Sequence, residues 1–219
     1  MLAFVPLFGG WGVANWATYW AAEYDQRETA TQKIGSDGSK TGEGAVGKKS
    51  PVTSNMKAKA SFHRSWPGAI SSLLGGALAF LLGRRLSYAV LCLLAFMCTQ
   101  FLYSVPDPSA EGFLFWVRGL GFFSGFFFGW LPLCLPEMFP TRVRSTGSGV
   151  SFNFGRVIVA LLIIVTSLAL KSYFEGSYDQ VGRVCGYVYL LGVVAVFLLP
   201  TTTKNSQLGE EALAPVVDV

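Results

Sequence analysis

Charge is scarce in this chain, and the absence removes whole classes of function. Only 14% of its 219 residues are Asp, Glu, Lys or Arg, against roughly 25% in an average soluble protein. There is one histidine, His63, and four cysteines with no CxxC pair or Cys/His ligand spacing, so no metal site is expected. Cys92, Cys98, Cys134 and Cys185 all stand in apolar runs and read as small buried hydrophobes. No glycine-rich phosphate loop of the P-loop kind is present. Intramembrane proteolysis needs a Ser/His or Asp/Asp pair inside the apolar runs. Ser148 has no such histidine, and Asp107 and Asp179 stand between runs rather than in them. No enzyme and no cofactor are expected. The net charge of +4 comes mostly from one segment and is no nucleic-acid footprint.

Long apolar runs are what the chain has instead. Hydrophobic residues make up 52% of it, with 18 Phe and 25 Gly, a composition suited to a bilayer. About 20 helical residues cross a ~30 Å hydrocarbon layer. By that measure six spans are predicted, near 2–22, 66–84, 86–105, 112–135, 146–170 and 182–200. Every backbone polar group in hydrocarbon needs an internal partner, and the alternation of a membrane barrel is absent, so the spans are expected to be α-helices. The start has no Lys or Arg before its apolar stretch and reads as a first membrane helix over 1–22, not a cleaved signal. Residues 23–65 are expected to form a flexible polar loop, 66–200 five further helices, and 201–219 a polar tail. Two small-residue ridges suggest close helix approach: Gly121, Gly125 and Gly129 in the fourth run, and Ser72, Gly76, Ala79 and Gly83 in the second. The same glycines equally suit a helix that bends.

The exception to the apolar pattern is LPEMFPTRVRSTGSGVSFNFGR, residues 135–156, which gathers Glu137, Arg142, Arg144 and Arg156 around Pro136 and Pro140. With GRR at 83–85 on the same membrane face, Glu137 is placed to pair with Arg84, Arg85 or Arg142. These arginines are either headgroup anchors or a network joining helices in one state of a moving protein. Gly83–Arg84–Arg85 and the run Pro136, Glu137, Pro140, Thr141, Arg144, Gly147 resemble motifs of the second half of major facilitator superfamily transporters. The branch most similar is that of bacterial metabolite, sugar and organic acid–proton symporters. The resemblance implies an all-α integral membrane fold, the C-terminal six-helix bundle of a twelve-helix protein. It also implies a conformational charge network of Arg84, Arg85, Glu137, Arg142 and Arg144 on the cytoplasmic face. The raw charge count points the other way, with ten basic residues on the opposite side and eight of them in the 23–65 loop. The chain departs from the family in supplying six helices and in having Leu81 and Leu82 where an Asp would precede the arginine pair.

Candidate path residues follow from position. Arg156 lies about 13 residues into the fifth run, roughly 20 Å deep, where a charge by default marks a cavity or a partner. Ser145, Gly149, Asn153 and Arg156 make one polar stripe, and a guanidinium there suits a carboxylate. Arg118 in the fourth run is a weaker candidate, close enough to the outer face to snorkel. In the first run Trp11 and Asn15 share a face, with Trp16 and Tyr19 beside it. Belt aromatics and structural pairing are the plain alternatives for all of these. Trp116 and Trp130 read as belt residues, and His63 as an exposed loop residue.

The expected function is transport of a small solute, a sugar or organic acid, by alternating access in the cell membrane, with proton symport as the coupling the resemblance suggests. The expected partners are the lipid bilayer, the solute, a proton, and a second six-helix half or a homodimer. The alternative is a non-transporting six-helix fragment or scaffold subunit that needs a partner half.

Overall fold

The computed structural model describes residues 2–37 and 55–197, and every regular element among them is helical. A short α1, Phe4–Leu7, passes through a π-helical stretch, Phe8–Val13, into α2, Ala14–Asp37. Then come α3, Met56–Leu82; α4, Arg84–Leu102; and α5, Glu111–Cys134. Two 3-10 turns, Pro136–Met138 and Thr141–Val143, lead to α6, Arg144–Ser172, followed by α7, Tyr178–Gly186, and α8, Val188–Phe197. Five stretches are long and apolar enough to cross a bilayer: Met56–Leu82, Arg84–Leu102, Glu111–Cys134, Thr141–Ser172 and Tyr178–Phe197. The all-α membrane architecture expected from hydropathy is therefore present.

The first expected span, 2–22, is helical but differs in kind from the other five. Within FGGWGV the Ala14 N–H reaches back five residues to the Gly9 carbonyl, the hydrogen bond of a π-turn. Gly9 is where the chain comes under the Tyr189 ring, and a Cβ there would lie 2.4 Å from it. Helix enters the loop expected over 23–65 from both ends. The helix runs on to Asp37, with Arg27 ion-paired to Glu23 one turn back, and α3 begins at Met56 rather than 66. The Asp25 carboxylate accepts the Met56 and Lys57 N–H groups at 3.0 Å each. That satisfies two of the orphan donors at the start of α3. Residues 38–54 and the tail 201–219 lie outside the described residues.

Small residues hold α3 against α5. A Cβ on Gly121 would sit 2.3 Å from the Arg64 carbonyl; on Gly125, 2.1 Å from Ser71 Oγ; on Gly129, 2.0 Å from the Ser72 carbonyl. The ridge therefore serves close contact, the first of its two possible uses. On α3 the facing residues are Gly68, Ser71 and Gly75 together with Ser72 and Gly76 of the expected line, a Cβ on Gly76 lying 2.4 Å from the Leu133 side chain. Gly83 instead closes α3 with φ +78 and ψ 155, backbone angles that only glycine adopts readily.

Aromatic residues bind the other helices. Tyr88 of α4 packs against Phe127 and Trp130 of α5 and donates its hydroxyl to the Leu2 carbonyl at 2.9 Å. Trp130 is 1% exposed, with its indole N–H on Ser87 Oγ at 3.1 Å, so it is a core residue and not part of an interfacial belt. The one-dimensional position of Trp130 near a helix end gave no sign of the face it occupies. α6 meets α1 through Gly155, near Leu7, but only 17% of its most apolar window is buried, against 50% for α4 and α5.

Candidate functional site

At one end of the bundle the chain turns twice in close proximity. Gly83 reverses α3 into α4, and Pro136 and Pro140 bracket the break between α5 and α6. Across the two turns Arg84 and Glu137 pair two-pronged: Nη1 to Oε2 at 2.6 Å and Nη2 to Oε1 at 2.8 Å. Such a fork fixes direction as well as distance. Arg84 is also the first residue of α4, where the helix dipole is positive. Glu137 offsets both the side-chain charge and that partial charge. Arg142 is exposed, and Arg144 is half-buried, with its Nε enclosed and without a hydrogen-bond partner among the described residues. Phe139 lies over Gly147, where a Cβ would be 2.6 Å from its ring. That contact presses the turn onto the first helical residues of α6.

On α6 the expected stripe lies on an open surface. Asn153 and Arg156 are exposed, and a Cβ on Gly149 would meet nothing within 4 Å. Asn153 Nδ2 donates to the Gly149 carbonyl of its own helix at 2.9 Å. Arg156 and Asn15 are not brought into contact, so the structure separates the path candidates into two groups.

The second group lies toward the other end of α3. Asn15 Oδ1 accepts a hydrogen bond from Arg64 Nη1 at 2.7 Å, and Arg118 Nη2 donates to His63 Nδ1 at 3.2 Å. Trp11, a turn before Asn15, and Tyr19, a turn after it, are 55% and 51% exposed, whereas Trp16 is buried. His63 is therefore a helical residue facing α5, not a loop residue. Arg64 went unnoticed in the sequence because Lys57, Lys59, His63 and Arg64 lowered the hydropathy where α3 starts. The signal that was available is helical: Lys57, Ala58, Lys59 and Ala60 are good helix formers running into an apolar segment.

Residues 69–211 match a known family, described as "Sugar (and other) transporter". This chain belongs to that family, within the major facilitator superfamily. Three curated relatives agree. It is 30% identical over 125 residues to a "Probable 4-methylmuconolactone transporter" of Cupriavidus pinatubonensis, covering 55% of this chain and 28% of the relative. It is 33% identical over 136 residues to an "Inner membrane metabolite transport protein" of Escherichia coli, covering 61% and 30%. To an MFS-type transporter of Schizosaccharomyces pombe it is 32% identical over 93 residues, covering 42% and 16%. The chain thus spans less than a third of the length of each of these relatives. No solved structure matches it significantly. Family membership and the five apolar helices together make this major facilitator chain a multi-pass integral membrane protein. The Arg84–Glu137 pair and the α6 stripe fall within the matched residues, whereas Trp11, Asn15, His63 and Arg64 precede them.

Proposed function

We propose that the chain forms one wall of the translocation path of a secondary transporter for a small polar solute, an organic acid or sugar, working by alternating access. The observation that carries this reading is the face of α6: Asn153 and Arg156 stand exposed near the middle of a span whose next nine residues, 157–165, are all apolar. A charge in an apolar span is stabilised by a watery cavity or a partner, and a path between two bundles supplies the first. The family and the transporter names of the relatives support the same reading. In it the Arg84–Glu137 fork, with Arg85, Arg142 and Arg144 around it, holds the cytoplasmic ends of α4, α5 and α6 together in one state and opens in the other. Residues 1–22 act as the first membrane helix, and a proton is the coupling ion proposed from the resemblance.

The low burial of α6 favours a second requirement, that a further six-helix unit, another chain or a second copy, closes the path on that side. The test is uptake into proteoliposomes across a panel of sugars and carboxylates, by this chain and its Arg156→Ala variant. Uptake of one solute that the variant loses supports the path on α6. Uptake unchanged in the variant removes Arg156 from it. Uptake seen only after co-reconstitution with a complementary bundle supports the scaffold reading over a self-sufficient half.

A further inference from the structure

The α6 stripe lies apart from a second concentration of positive charge, at the end of α3 away from the Arg84–Glu137 fork. There α3 carries Lys59, His63 and Arg64 within six residues, and α5 brings Arg118 to His63. Leu82 is 18 residues beyond Arg64, roughly 27 Å along the helix, and no charged residue intervenes between Ser65 and Leu82. The cluster therefore sits at the rim of the apolar layer.

Its charges are not neutralised locally. Among the described residues Arg64, Arg118 and His63 have no carboxylate partner. Of the acids on α2, Asp25 caps the start of α3 and Glu23 is paired with Arg27. Glu111 occupies the first turn of α5, about two turns before Arg118. Arg64 is the informative member. It is half-buried and held by a neutral amide, since Asn15 accepts one of its five N–H donors without cancelling its charge. An arginine fixed in direction and left with free donors is prepared for a planar anion. The Arg118–His63 contact adds a second condition. Arginine is always protonated, so His63 is the acceptor through Nδ1 and is neutral in this arrangement. Above Asn15 and below it, Trp11 and Tyr19 present exposed rings.

We propose that Arg64, oriented by Asn15, and Arg118 form a rim site for the carboxylate group of a soluble organic acid. This deepens the transport reading, on which it rests for the solute class, by selecting acids over sugars. Sugar hydroxyls accept hydrogen bonds from a guanidinium but leave its charge uncompensated, whereas a carboxylate does both.

The test separates binding from transport. The chain is reconstituted in zwitterionic phosphatidylcholine nanodiscs, and thermal unfolding is followed with sodium benzoate or with benzamide, its uncharged analogue, at constant ionic strength. The expected result is an upward shift with benzoate alone, reduced several-fold in Arg64→Gln and in Arg118→Gln and retained in Lys171→Gln, an exposed charge on α6. Arg118 is itself exposed, so its variant reads the site even where Arg64→Gln folds poorly. Equal responses to benzoate and benzamide, or a benzoate shift that survives both arginine variants, overturn the proposal. A response only to added phosphatidylglycerol, with none to benzoate, assigns the cluster to lipid headgroups and also overturns it. Benzoate binding without uptake of any acid keeps the site and counts against the transport reading instead.

Discussion

Tyr103 and Val13, ninety residues apart, are joined by a 2.6 Å hydrogen bond from the tyrosine hydroxyl to the valine carbonyl. Val13 ends the π-helical stretch, so the tyrosine meets the first helix where its regular bonding changes. The same residue packs its ring on Trp20 and over Gly182, where a Cβ would lie 2.1 Å away, and its carbonyl accepts from Arg183 at 2.6 Å. The first helix, α4 and α7 thus converge on one side chain.

Tyr103→Phe removes that hydroxyl and nothing else. Hydrogen bonds between membrane helices are worth about 0.6 kcal/mol on average and about 1.7 at most. The Val13 bond is short and buried, so a loss toward the upper figure is expected, read from unfolding in a detergent titration. A variant as stable as the parent would mean that the carbonyl finds another donor.

Gly125→Ala is expected to be costlier than a methyl group suggests. Its Cβ would meet Ser71 Oγ at 2.1 Å and the Gly68 carbonyl at 2.5 Å, so backbone must move and α3 must leave α5. Overpacking of this kind costs about 1–3 kcal/mol. Gly149→Ala, which meets nothing within 4 Å on α6, is the control and should be neutral or up to about 1 kcal/mol stabilising. Equal effects of the two substitutions on melting temperature would contradict the packing described for the ridge.

Gly83→Ala tests conformation without crowding, because nothing lies within 4 Å of the added atom. The φ of +78 with ψ of 155 is the obstacle, and strain of this type is worth about 1–3 kcal/mol. A melting temperature unchanged by the substitution would place the turn in another conformation.

The Arg84–Glu137 fork should show an asymmetry. Both side chains are partly exposed, at 53% and 38%, so their coupling in a double-mutant cycle should fall within about 0.2–1 kcal/mol and weaken with salt. Glu137→Gln leaves Arg84 at the positive end of α4 with no compensation, while Arg84→Gln removes the charge that needed it. The glutamate variant should therefore be the less stable of the two. The reverse order, or coupling that is indifferent to salt, would show that the pair does not act through charge at this helix end.

Much of the architecture follows from sequence because a bilayer reads composition along one dimension. A ~30 Å apolar layer asks only for a long enough run without charge, and the runs in α4 and α5 met that test within three residues at each boundary. The glycine spacing in α5 and the proline-bounded junction at 136–147 were legible for the same reason, since each acts through its own local segment. Hydropathy failed where a helix was polar: residues 23–37 and 56–65 fold as helix because propensity, an ion pair at Glu23–Arg27 and the Asp25 cap act there without any apolar run.

What only the tertiary structure decided is who meets whom. The rotation of each helix about its axis is set by packing against several neighbours at once, and no local pattern records it. Trp130 turned inward onto Ser87 for that reason, and Arg84 came into a two-pronged pair with Glu137. Asn15 and Arg64 are 49 residues apart, and His63 and Arg118 are 55 apart. The sequence placed Asn15 and Arg118 in apolar runs but left His63 and Arg64 in a polar segment that folds as helix. Their pairing waited on the glycine contacts that bring α3 and α5 together and on the tyrosines that draw the first helix against them.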